Sequence, residues 1–94
     1  STRYLAYDFG SEGIRVNAIS AGPIRTLASA GVGSFKDMYK YFSEVAPLKA
    51  NVSIEDVGNA AVFLCSGMSK HITGEVLHVD SGFNIVGVFE PCKE

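Results

Sequence analysis

Two rhythms of apolar and polar positions run along this chain. Over residues 1–9, Tyr4, Leu5, Tyr7 and Phe9 recur at spacings near three and four, so the segment reads as the last turns of a helix. Gly10 is expected to cap it, and Gly13 to end a short polar turn. A helix that opens with no lead-in suggests a chain cut from something longer. Residues 14–20, Ile-Arg-Val-Asn-Ala-Ile-Ser, are rich in β-branched side chains and bounded by turn signals, the pattern of a buried parallel strand. It runs into Ala21-Gly22-Pro23, the kind of small-residue exit found at the carboxyl edge of α/β sheets, where ligands bind.

Residues 24–34 show no clear period and read as a loop. Over 35–45 the helical rhythm returns, with Phe35, Met38, Tyr39 and Phe42 on one face, and Pro47 breaks it. The clearest helix is 53–65. Ser53 and Asp56 have the spacing of a capping box, with Asp in place of the preferred Glu. Glu55 and Asp56 place negative charge in the first turn, where the helix dipole favours it. Val57, Ala60, Ala61 and Leu64 form its buried stripe, and Gly67 is expected to stop it. After the turn at Gly74, residues 75–80 form a second strand, giving a βαβ unit with a parallel right-handed crossover. The end of the chain is apolar (Phe83, Ile85, Val86, Val88, Phe89), so it is expected to pack and not to fray.

Composition narrows the function classes. The 94 residues are 47% hydrophobic and 19% charged, values of a globular chain. The net charge is −2 and the eight basic residues are scattered, which argues against a nucleic-acid partner. No apolar run approaches the roughly 20 residues of a membrane span. Cys65 and Cys92 have no metal or disulfide spacing; Cys65 is expected in the core, and a reducing, cytoplasmic setting fits best. His71 and His78 have no partner at metal spacing, so no metal site and no catalytic histidine is expected.

Specific chemistry enters through resemblance. The string Ser20-Ala-Gly-Pro-Ile-Arg-Thr-Leu-Ala28, following the strand, resembles the short-chain dehydrogenase/reductase superfamily, and within it the bacterial-type enoyl-acyl-carrier-protein reductases. Residues 53–61 are similar to that family's penultimate helix, and 73–82 to its last strand and exit turn. Many members have two glycines after the aspartate of that strand; here Ser81 precedes Gly82.

The resemblance implies a Rossmann-type doubly wound parallel sheet, of which this chain supplies the last two strands and flanking helices. It divides the chain into a helix end and turn (1–13), a strand and cofactor turn (14–23), a substrate-binding loop and helix (24–47), and the final helix, strand and tail (53–94). It implies that Gly22, Pro23, Ile24, Thr26, Leu27 and Ala28 bind the dinucleotide. Pro23 and Ile24 would give the nicotinamide an apolar wall, and Thr26 a hydroxyl for the pyrophosphate. Ala28, Val32, Phe35 and Met38 are implied as the acyl-binding segment, hinged by Gly31 and Gly33. Lys36 and Lys40, four apart, would face an acidic acyl carrier protein.

The implied reaction is reduction of a trans-2-enoyl thioester by NADH, with NADPH left open. The implied assembly is a homotetramer with the last strand and tail at an interface. No tyrosine here stands in the family's catalytic motif with its lysine, so no catalytic residue is expected in this chain, and the 94 residues alone are expected to be inactive. Two other readings stay open on the sequence. One is another short-chain reductase, such as a 3-oxoacyl reductase or sugar-alcohol dehydrogenase; the other is an inactive fold fragment.

Overall fold

The computed structural model describes residues 1–25, 31 and 33–86. Helix α1 spans Thr2–Phe9, strand β1 Ala18–Ala21, helix α2 Gly33–Val45, helix α3 Ile54–Cys65 and strand β2 Val76–Val79. The strands pair in parallel, with Ala18 opposite Val76 and Ala21 opposite Val79. Both helices α2 and α3 lie in the crossover between them. This is the expected α/β unit, with α2 starting two residues before the apolar rhythm does.

Local chemistry explains where the elements start and stop, and several boundaries differ from the sequence reading, β2 among them, at Val76–Val79 and not 75–80. Gly10 is the C-cap of α1, as expected, but its backbone is right-handed (φ −60°), and the chain continues through a 3-10 turn to Glu12. The left-handed residue is Gly13 (φ 78°), whose N–H closes that turn on the Gly10 carbonyl. Helix α3 stops at Ser66, not at Gly67. The Ser66 hydroxyl donates to the Phe63 carbonyl at 2.8 Å and accepts from the Met68 N–H at 3.2 Å. At its other end α3 carries the full capping box. The Asp56 N–H donates to Ser53 Oγ at 3.1 Å, and the Ser53 N–H to Asp56 Oδ2 at 2.9 Å.

Another difference is β1, which begins at Ala18 and not at Ile14. Facing residues 14–17 is the turn around Gly74 (φ 77°), so side chains replace part of the ladder. The Val16 N–H donates to Thr73 Oγ1, and Asn17 bridges the Ile72 carbonyl and the Glu75 N–H, each at 3.0 Å. Arg15 reaches across to the end of α3. Its guanidinium donates to the Ser69 carbonyl (3.0 Å), Ser69 Oγ (3.1 Å), the Ile72 carbonyl (3.2 Å) and the Ser66 carbonyl (3.5 Å).

The core gathers at the carboxyl edge of the sheet. Phe42, Ala46 and Val52 are buried there, with Val57, Val79 and Phe83 packed against them. On α3, Leu64 is buried and Val57, Ala60 and Ala61 are half-buried, as the stripe required. Cys65 is exposed, contrary to the core position expected of it. It lines a groove of about 430 Å³ between α3 and β1, shared with Asn17 and Ile19. The apolar run it sits in predicts the core, but no described residue fills the far side of that groove. Tyr4 and Tyr7 on α1 and Val62 on α3 are likewise exposed.

Candidate functional site

Strand β1 delivers Ser20 and Ala21 to the sheet's carboxyl edge, and the Gly22 N–H extends the ladder by one bond to the Val79 carbonyl at 3.2 Å. The chain then leaves the sheet at Pro23, which cannot donate a further bond. Beside this exit lies a cleft of about 450 Å³, within the roughly 300–1,000 Å³ of small-molecule sites. Its walls come from three places. The β1 exit gives Ser20, Ala21, Gly22 and Pro23; α2 gives Met38, Tyr41 and Phe42. The end of β2 and its turn give His78, Asp80, Phe83 and Asn84. The lining is mostly apolar, with the polar groups on the strand side.

The turn after β2 is built by Asp80, which is 9% exposed. Its carboxylate accepts the N–H of Gly82 (3.1 Å) and of Asn84 (3.0 Å). Between them Ser81 and Gly82 are both left-handed, at φ 55° and 87°. A side chain on Gly82 would also press on the Pro47 ring, 3.0 Å from an added Cβ. The Leu48 N–H donates to the Ser81 carbonyl at 3.1 Å, tying the end of α2 to this turn. The turn presents Phe83 to Phe42, with ring centroids 5.0 Å apart and planes at 28°.

Of the residues singled out from the sequence, Gly22, Pro23 and Met38 line this one cleft. Ile24 is half-buried beyond the turn. Phe35 lies outside the cleft lining, half-buried against Tyr39 at 5.3 Å between centroids. Lys36 and Lys40 are exposed on α2. Thr26, Leu27, Ala28 and Val32 lie outside the described residues, as do Val88 and Phe89 of the tail. Tail residue Phe83 packs inward, and Ile85 is exposed.

The sequence reading missed Asp80 and the part Phe83 plays. The signal for the first was an aspartate followed by a small residue and glycine at a strand end. Among the described residues no cluster of His, Cys, Asp and Glu could hold a metal ion, and no helix is long and apolar enough to cross a membrane.

The cleft can be compared with known proteins. The family model described as "Enoyl-(Acyl carrier protein) reductase" matches residues 1–84. A relative from Haemophilus influenzae, named enoyl-[acyl-carrier-protein] reductase [NADH] FabI, is 58% identical over 94 residues, covering 100% of this chain and 36% of that protein. The protein of the same name from Escherichia coli is 54% identical over 90 residues, covering 96% and 34%. Among solved structures, the Bacillus cereus enoyl-acyl carrier protein reductase with NADP+ and indole naphthyridinone superposes with a TM-score of 0.86 at 53% identity, over 94% of this chain and 34% of that one. The chain therefore spans about a third of the length of the relatives it matches.

Proposed function

The chain belongs to the enoyl-(acyl carrier protein) reductase family, and from that premise we propose that it forms the cofactor turn and acyl-side helix of an NADH-dependent enoyl-acyl-carrier-protein reductase. One observation carries this reading: Gly22 and Pro23, at the edge of parallel strands, share an apolar cleft with Met38 of α2. A dinucleotide fits the residues present. The half-buried Pro23 offers a flat apolar wall, and Gly22 adds no side chain beside it. The cofactor supplies the hydride. This chain's residues wall one face of the ring, hold the acyl chain against Met38 and exclude water. Thr26, just beyond the turn, is proposed to donate its hydroxyl to the pyrophosphate, with Ile24, Leu27 and Ala28 completing the cradle. The NADH in the names of the Haemophilus influenzae and Escherichia coli proteins supports that cofactor over NADPH, although the Bacillus cereus structure carries NADP+.

Exposed Lys36 and Lys40, four residues apart on α2, are proposed to meet the acidic carrier protein at the cleft mouth. The working enzyme is proposed to be a cytoplasmic homotetramer in which other residues supply the catalytic tyrosine and lysine.

The test is direct. The full-length polypeptide carrying this sequence, given a crotonyl thioester and NADH, should oxidise the NADH, and the purified 94-residue chain should not. A full-length protein without turnover refutes the reading; turnover by the 94 residues refutes the division of labour.

A further inference from the structure

Gly22 has no conformational need to be glycine, because its φ is not among the positive ones. Its need is space. A Cβ built there would stand 2.5 Å from Cζ of Phe42, 2.8 Å from Cε2 and 3.3 Å from Cε1. The ring lines the cleft on one side and is backed on another. Phe42 is 4% exposed and backed by Phe83, whose turn is braced by the Asp80 carboxylate. The far end of α2 is tied down through Leu48 and Ser81. Contact between the bare glycine backbone and the ring therefore fixes how deeply α2 seats on the strand edge.

Met38 lies four residues before Phe42, on the same face of α2 and one turn nearer the free end. It shares the cleft with Pro23, the neighbour of Gly22. Both residues of this dipeptide thus line the ligand side, and the glycine also meets the helix.

We propose that Phe42 is a positioning residue: its ring, stopped against Gly22 and backed by Phe83, sets how far Met38 reaches into the cleft beside the dinucleotide turn. This rests on the reading of the cleft as an enoyl reductase site. It makes the ring a spacer between the two substrates, with no contact to the reacting atoms.

The test uses the full-length polypeptide with G22A, F42L and G22A/F42L, measuring kcat and KM for an enoyl thioester and the Kd for NADH. The added methyl in G22A points at the ring, so it should lift α2. The KM for the thioester should rise about tenfold or more, since an ångström of misplacement at a reacting site costs up to about a hundredfold. The Kd for NADH should rise less than the thioester KM, because the Pro23 wall is retained and the methyl meets the Phe42 ring. F42L should rescue G22A, bringing the thioester KM of the double variant to within about threefold of F42L alone, the signature of two residues in contact.

Losses that multiply in the double variant, or an NADH Kd that rises as far as the thioester KM, overturn the proposal while leaving the functional reading intact. Gly22 would then serve the dinucleotide's approach, and Phe42 only the core. A parent without turnover overturns both. If G22A is insoluble, the double variant decides: soluble and near F42L in KM supports the spacer, insoluble refutes it.

Discussion

Arg15→Met strips the guanidinium from the joint between β1 and the end of α3 while keeping most of the stem. Four hydrogen bonds go with it, to the Ser69 carbonyl and hydroxyl and to the Ile72 and Ser66 carbonyls. Bonds to a charged group contribute about 1.5–3 kcal/mol each, so a naive sum is about 6–12 kcal/mol. The structure argues for much less, because every carbonyl keeps another donor. Ser66 retains the Ser69 N–H, Ser69 the Ile72 N–H, and Ile72 the Asn17 amide. Nothing is orphaned, and the expected loss is about 2–3 kcal/mol.

Asn17→Ala alone leaves the Ile72 carbonyl with Arg15. The double variant leaves it with neither donor, so it should cost about 1 kcal/mol more than the sum of the two singles. Urea unfolding of the full-length polypeptide, at fixed protomer concentration, reads all four corners of the cycle. A double variant within about 0.4 kcal/mol of additivity would refute the shared-acceptor reasoning.

Ser81→Gly should stabilise the protein by about 0.5–1 kcal/mol, since Ser81 holds a left-handed φ of 55° that glycine adopts freely; a lowered melting temperature would contradict this. Asp56 is held below the ordinary carboxylate value of 3.8, first by the Ser53 backbone N–H and then by the Ser53 hydroxyl. A depressed folded-state value means the stabilisation is present above the ordinary value and lost as pH falls through the folded one. Exchange protection in the first turn of α3 should therefore weaken as pH falls below 3.8 and through the lower folded value, a drop that Asp56→Asn should abolish. Thr26→Val should weaken NADH binding by about 1–3 kcal/mol in the full-length protein, and an unchanged dissociation constant would remove Thr26 from the pyrophosphate site.

What the sequence made legible was local. The Ser53–Asp56 box, the Val57–Leu64 stripe and the two strands all depend on residues within a few positions of each other. The Ser20–Ala28 string carried the family through a resemblance specific enough to need no fold. The stop at Ser66 was hidden because a hydroxyl bonding forward and back does what a glycine was expected to do. Arg15 read only as a charge on a strand, since its partners lie 51 to 57 positions away. Cys65 shows the limit of an apolar run, which tells that a segment packs and not that something stands opposite each of its side chains. The Gly22–Phe42–Phe83 stack joins three segments, and no spacing rule connects them.

The parallel pairing of β1 with β2 also bears on the order in which the chain organises itself. Ala18 meets Val76 with 57 residues between them (76 − 18 − 1). Closing a flexible loop of that length costs about 4 kcal/mol before any pairing bond is made. Helices α2 and α3 take up 13 and 12 of those residues, yet even halving the loop saves only about 0.6 kcal/mol. The helices therefore do little as shortcuts. Their contribution to early assembly is the apolar surface of Phe42 and Leu64, which gives the two strand segments something to condense on. During synthesis the first strand must wait for this partner until nearly the whole of this sequence has been made.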